Sequence, residues 1–339
     1  MKKNKVCFFS TSGKEQIEKE QYSILDIRIL HDLGYEVEIA SNLRGIPWDC
    51  DFYFSWWASG SILPFIISFL RMRPIFVIAG GNEAMLYRDS LTNKPKGYLA
   101  TPFYKKIATR ITLKFCTKTL IVSEFMRNDV TRLGAKSPIL VYNSIDTKKF
   151  ISSGVKRTEI TSIFKFDYDV VEIKRGFVLL ESIAKVIIEY PDQVFTFIGG
   201  KGDVFDKFVE KSIDLQVYNN IRFIDNIPNE EVINWMQRSK MYIQISDTET
   251  FGVAIAEAMS CQTPVVVSAR GAIPEVVGNL GVYVDHNDPN DVAKGILKIL
   301  KLNQEEYNEL GKQLRRRVQQ NFSYEKRKEE IKKIIQNYK

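Results

Sequence analysis

Strand-like and helix-like segments alternate along almost the whole of this 339-residue chain, and no other feature limits its fold as much. "KVCFFS" (5–10) is an apolar strand. "QYSILDIRILHDLG" (21–34) then places Ile24, Leu25, Ile29, Leu30 and Leu33 at helical period and stops at Gly34. "YEVEIAS", "DFYFSWW", "PIFVIAGG", "TKTLIVS" and "PILVYN" continue this first series. After residue 150 the rhythm restarts with "QVFTFIGG", "IRFID", "MYIQIS", "PVVVS" and "GVYVD", and helical patterns lie at 177–189, 229–239 and 251–261. Short apolar runs separated by helices read as parallel strands covered on both faces. The two series are separated by the polar "NSIDTKKFISSGVKRTE" (143–159). The pattern predicts an α/β protein of two tandem, Rossmann-like, doubly wound domains, 1–150 and 151–323. The length also favours two cores over one. Ligands of such sheets gather at the carboxyl ends of the strands, so facing domains would enclose one cleft.

Several function classes are excluded early. Cys7, Cys50, Cys116 and Cys261 have no metal-type spacing and read as reduced thiols. Two histidines, His31 and His286, leave little for a His-rich metal centre or a Ser-His-Asp triad. The apolar part of "MKKNKVCFFSTSG" is too short for a secretory signal. "ILPFIISFL" (62–70) falls well short of the ~20 residues that cross a bilayer. A cytoplasmic protein is expected. Charge is uneven: residues 1–150 carry 22 Lys and Arg against 14 acids, and the remainder 26 against 27. A large anionic partner would therefore meet the first half. A basic nucleic-acid-binding protein would need an aromatic-interleaved RNA motif or a helix-turn-helix pattern, and neither is visible.

The chemistry concentrates in "SDTETFGVAIAEAMSC" (246–261). Glu249 falls in a loop at the carboxyl end of a strand, and Glu257 lies about two turns into the next helix. The amides near Thr250, Phe251 and Gly252 open that helix without intrahelical acceptors, which with the helix dipole makes an anion site. Gly252 removes side-chain bulk where a phosphate would approach. A nucleotide sugar suits this layout: diphosphate on the helix start, sugar hydroxyls on Glu249, and the ribose diol on an ionised, acceptor-only Glu257. The alternative is a capping Glu249 and an ion-paired Glu257.

The longer block "SDTETFGVAIAEAMSCQTPVVVSARGAIPEVV" closely resembles the donor-site signature of the family 4 retaining glycosyltransferases, which have the two-domain GT-B fold. Ser246, the Glu249-x7-Glu257 pair, Gly252, Ala258-Met259, Thr263-Pro264-Val265-Val266 and the Gly271–Glu275 turn all match that pattern. "LIVSEFMRNDVTRLG", "VYNSIDTKKF" and "VFTFIGGKGD" are similar to further family segments. "NFSYEKR" resembles the start of the helix, here about 324–339, that crosses back to the first domain. From the residues alone, that charged helix either docks through Ile331, Ile334 and Ile335 or is solvated.

The resemblance implies transfer of a sugar from a UDP- or GDP-sugar to a hydroxyl of a glycan or lipid-linked acceptor. It also implies retention of configuration, no metal or other cofactor, and a place in cell-surface polysaccharide or glycolipid assembly. Glu249, Arg175 and Lys165 are the catalytic candidates. Arg175-Gly176 stands where the family has Lys-Gly; Lys165 is the nearest cation to the family's missing upstream arginine, and Lys174 is expected to be exposed. Donor contacts are expected from Gly13, Thr250, Phe251, Gly252 and Glu257, with the base read in the "DNIP" turn around Asn226. Where many members have a histidine this chain has "GGNE", so Gly81, Asn82 and Glu83 become acceptor or sugar candidates, or a glycine turn before a capped helix. Trp56 and Trp57 either stack on acceptor sugars or pack internally. A GT-B nucleotide-sugar epimerase is the alternative enzyme class.

The acceptor side holds a further pattern. Between Ser90 and Ser123 there are seven basic residues and no acid. Lys106, Arg110, Lys114 and Lys118 would form one helical stripe beside a row of Phe103, Ile107, Ile111 and Phe115. Either the row packs on the sheet with the cations in water, which is the favoured expectation, or the helix lies on an anionic membrane surface.

Overall fold

The computed structural model describes residues 4–338. The first unit comprises Met1–Ser144 and Tyr324–Lys339, and the second Ile145–Ser323. In the first, β1 (Lys5–Phe9) is followed by α1 (Lys14–Ile17), α2 (Gln21–Asp32), β2 (Glu36–Ala40), β3 (Phe52–Trp56), α3 (Ile62–Leu70) and β4 (Ile75–Ala79). A small hairpin, β5 (Leu86–Arg88) with β6 (Pro95–Gly97), was not legible in the sequence. Next come α4 (Phe103–Phe115), β7 (Lys118–Ile121), α5 (Arg127–Arg132) and β8 (Ile139–Leu140). The parallel sheet runs β2-β1-β3-β4-β7-β8.

The second unit begins with β9 (Glu159–Ile163), α6 (Tyr168–Ile173), α7 (Gly176–Val186), β10 (Phe195–Ile198), α8 (Phe205–Asp214) and β11 (Ile221–Ile224). It continues with α9 (Asn229–Arg238), β12 (Ser239–Gln244), α10 (Val253–Ser260), β13 (Val265–Ser268), α11 (Ile273–Val277), β14 (Val282–Val284), α12 (Pro289–Leu300) and α13 (Gln304–Asn321). Its parallel sheet runs β11-β10-β9-β12-β13-β14. β9 was missed in the sequence, where its first residue closed the polar linker. Its polar positions are buried against neighbours: Glu159 accepts from Thr196 Oγ1 and from Arg222 Nη1 (2.5 Å). An aromatic cluster around Phe164, Phe166, Phe197, Phe208 and Phe223 fills one side of that sheet.

Each strand order reverses once, between β1 and β3 in the first sheet and between β9 and β12 in the second. At such switch points the loops leaving two adjacent strands diverge to opposite faces and open a crevice for ligand.

The last helix, α14 (Tyr324–Gln336), belongs to the first unit. Its isoleucines 331, 334 and 335 are buried there. Arg327, 3% exposed, donates to both carboxylate oxygens of the wholly buried Asp26 (2.6 and 2.9 Å) and to the carbonyls of Val141 and Tyr142. A paired, fully hydrogen-bonded guanidinium is the form in which such a charge tolerates burial. In the second unit Arg315 donates to the Thr147, Phe150 and Ser260 carbonyls, binding 145–150 to that unit.

Candidate active site

In the second unit the loops leaving β9 and β12 meet at the switch point. Asp247 N–H donates to the Ile173 carbonyl (2.7 Å), joining the end of α6 to the loop before α10. Two residues on, Glu249 Oε1 accepts from Lys174 Nζ (2.5 Å), Gln244 Nε2 (2.7 Å) and Ser246 Oγ (3.0 Å). None of these bonds engages Oε2. Gln244 is itself held by the Tyr242 hydroxyl (2.7 Å). Glu249 keeps 17% side-chain exposure, so it is both fixed and reachable.

Backbone conformation makes this arrangement. Gly271 has φ 58°, and a Cβ there would lie 2.4 Å from the Glu249 carbonyl oxygen, so only glycine lets the β13–α11 loop close on Glu249. Ala272 N–H then donates to that carbonyl (2.9 Å). Gly252, at φ 94°, opens α10 from the left-handed region; the requirement is conformational and not only one of bulk. The first amides of α10 follow it. Thr250 is half-buried beside them, whereas the Phe251 ring is buried against Phe322 and leaves only its backbone to a ligand.

Glu257 differs from the sequence expectation. It is 7% exposed with no charged neighbour among the causes of its shift, and burial pushes its carboxyl up to about 8. At neutral pH it is mostly a neutral acid, able to donate as well as accept, and not the acceptor-only carboxylate expected. The Tyr242 phenol titrates well above its ordinary range, first through burial and then through the fields of Glu249 and Glu257. The two glutamates of the motif therefore share one buried neighbour.

The two adjacent cations lie otherwise than their expected roles imply, Arg175 buried and Lys174 bonded to Glu249. Arg175 was expected on the diphosphate and Lys174 in solvent. Arg175 is 5% exposed: Nε donates to Asn287 Oδ1 (2.9 Å), Nη1 to the Glu172 carbonyl (2.8 Å), and Nη2 lies 3.3 Å from Asp247 Oδ1. Asp247 also meets His286 Nε2 (3.0 Å). Arg175 takes a left-handed backbone (φ 53°, ψ 40°) as the residue before α7, and that turn presents Lys174 to Glu249. Lys174, expected in solvent, turns to Glu249 because its direction depends on the φ of its neighbour, which no spacing rule reports. Lys165 is exposed just beyond β9. Asn226 is exposed, and its side-chain amide lies over Gly200, where a Cβ would make it shift. Thr248 was also missed; its hydroxyl is buried with no recorded partner.

In the first unit, the switch point gathers Ser10, Ser12, Gly13, Trp57 and Glu83. Ser10 Oγ accepts from Trp57 Nε1 (3.1 Å), and Trp57 has φ 70°. Gly13 (φ 83°) has open space where a side chain would stand. Glu83 Oε1 accepts from Ala58 N–H (3.1 Å); burial raises the acid to about 7, opposed by its backbone hydrogen bonds. Gly81 passes so close to Glu83 and the Trp57 ring that a Cβ would collide with both, and Asn82 is exposed. Of its two expected places Trp56 takes the internal one: it is 1% exposed, its ring packs on Tyr22, and Nε1 donates to Asp26 Oδ2 (3.0 Å).

Residues 169–317, which include the Glu249 loop, match the family described as Glycosyl transferases group 1. This stretch, rather less than half of the chain, is what resembles the group 1 glycosyltransferases. An uncharacterized glycosyltransferase of Methanocaldococcus jannaschii is 23% identical over 256 residues, covering 75% of this chain and 65% of that protein. The O-antigen chain mannosyltransferase B of Escherichia coli is 33% identical over 113 residues, covering 33% of this chain and 29% of that protein. The chain thus spans less than two thirds of the length of these curated relatives. Among solved structures, Anabaena HepE in complex with UDP and glucose superposes with a TM-score of 0.79, 14% identity and coverage of 98% and 99%. That likeness establishes the GT-B fold for this chain.

Proposed function

We propose that this protein is a retaining glycosyltransferase, of the family 4 type, that moves a sugar from a nucleoside-diphosphate donor to an acceptor hydroxyl. The observation that carries the reading is Glu249: three donors hold Oε1 while Oε2 is left for a ligand hydroxyl. The diphosphate lies against the α10 amides and the Lys174 ammonium, whose charge stabilises the departing phosphate. Lys174 and the helix start meet the diphosphate charge without a metal ion. Glu257 binds the ribose diol. In the transfer step the bond from the anomeric carbon to the diphosphate oxygen breaks. The acceptor oxygen bonds to that carbon on the same face, and its proton passes to the leaving phosphate. Glu249 positions the sugar and is not a nucleophile.

Uridine diphosphate is the first nucleotide to test, since the Anabaena structure holds UDP and glucose; guanosine diphosphate is the second. The acceptor is a glycan or lipid-linked hydroxyl, recognised by the strand ends around Gly13 and Glu83 in the first unit. Cell-surface polysaccharide or glycolipid assembly at the inner face of the membrane is the setting that suits it; no helix among the described residues is long and apolar enough to cross a bilayer.

The test is a thermal-shift panel of nucleoside diphosphates with chelator present, followed by turnover of the matching sugar donors and NMR of the product anomer. One nucleoside should stabilise the protein, and the product should keep the donor's configuration. A panel without any shift, or an inverted product, overturns the reading.

A further inference from the structure

The helix at 103–115 does not pack as the favoured expectation had it. Its buried residues are Thr109, Thr112 and Leu113. The apolar row faces outward: Phe103 is 78% exposed, Ile107 43%, Ile111 37% and Phe115 59%. The neighbouring α3 and the turn after it add Phe69 (72%), Leu70 (59%) and Met72 (91%). The two helices lie side by side because β3, β4 and β7 advance in one direction across the sheet, and right-handed crossovers then stack on one face. A contiguous apolar surface of this kind on a water-soluble unit marks something that covers it.

Charge identifies the cover. Residues 52–82 and 90–123 contain no Asp or Glu. A cavity of about 470 Å³ opens beside the apolar row, lined by Arg110, Ile111, Lys114, Phe115, Arg132 and Lys136 among others. Lys114 and Lys136 also line an adjoining cavity of about 300 Å³ with Lys118. The cations are not the stripe read from the sequence. Lys106 bends inward, donating to the Leu99 carbonyl (2.9 Å) over the Tyr98 ring, and is replaced by Arg132 and Lys136 from α5 and the turn after it.

We infer that this face is a docking surface for a bilayer bearing anionic phospholipid: the α3 and α4 side chains enter the acyl boundary, and a headgroup phosphate sits in the Arg110–Lys114–Arg132–Lys136 cavity. An apolar ridge beside a basic recess fits an interface that is itself apolar below and anionic above. A soluble acidic partner would match the recess but not the bare phenylalanines.

The experiment is sedimentation of the full chain with sucrose-loaded vesicles of phosphatidylcholine, with and without phosphatidylglycerol. The protein should pellet with the anionic vesicles and stay in the supernatant with neutral ones. Phe69→Ser with Phe103→Ser should lower the partition coefficient by about tenfold or more. Lys114→Glu with Arg132→Glu should do the same at low salt and lose its effect in high salt. Circular dichroism checks that both double variants stay folded. Failure to pellet, or equal pelleting with neutral vesicles, overturns the inference. So does a lipid-free dimer in light scattering that the phenylalanine variant dissolves, which would assign the face to a second copy. No nucleotide is present in the assay, so a negative result leaves the transferase reading standing.

Discussion

The two units share a doubly wound sheet yet equip their switch points differently. In the second, polar bonds knit the loops of three strands and of α6–α7 around Glu249 and Asp247. In the first, the strand ends are joined by a few hydrogen bonds to Ser10 and Glu83, and Asp26 is bonded by Arg327 and by Trp56 Nε1 at the end of β3. A diphosphate needs charges fixed before it arrives, because preorganised dipoles do their work without reorganising. The carbohydrate hydroxyl and lipid surface proposed for the first unit would need less of this.

The largest effect should come from breaking the first unit's buried pair. Arg327→Leu removes the cation from the buried Asp26 carboxyl and leaves it only the Trp56 Nε1 donor, at a cost of about 3–5 kcal/mol. Calorimetry should show the first unit melting earlier while the second keeps its transition; a joint shift of both would break the comparison. Next, Lys174→Met should lower kcat about 100-fold or more with little change in melting temperature, as for other lost transition-state charges. Arg175→Met should instead destabilise the second unit, because its guanidinium bonds Asn287, the Glu172 carbonyl and Asp247; equal behaviour of the two variants would undo their separation.

Smaller effects should follow from the two raised acids. Glu257 holds its proton up to about 8, so an accepted ribose diol should expel up to about one proton near neutral pH. Calorimetric titration in two buffers of different ionisation enthalpy measures this, and Glu257→Gln should abolish it. Glu83 titrates at about 7 when folded and near 4.5 when unfolded. The folded form therefore binds the extra proton in that interval, and stability should decline as pH rises through it. Glu83→Gln should flatten this slope in denaturant titrations, with the smallest effect of the set.

Most of the fold was legible because apolar runs and helical periods are local. β9 was not, since "EITSI" becomes a central strand only when Thr196 and Arg222 meet Glu159. The Glu249 block was legible because its glycines and carboxylates are side-chain facts. The placement of Lys174 and Arg175 was not, since a left-handed φ at one residue decides which of two adjacent cations is buried. Trp56 and the 103–115 helix failed for a shared reason: alternation and period say that a face is apolar, and only packing says what covers it.

The return of α14 to the first unit has a consequence for synthesis. On the ribosome, Asp26 and the Val141 and Tyr142 carbonyls emerge long before Arg327, with the whole of 145–323 translated in between. The usual order, in which an amino-terminal domain completes itself first, is closed to this chain. Its second unit finishes while the first still waits for its clasp, and a nascent first unit with an unneutralised carboxylate in its core is the state that a chaperone would meet.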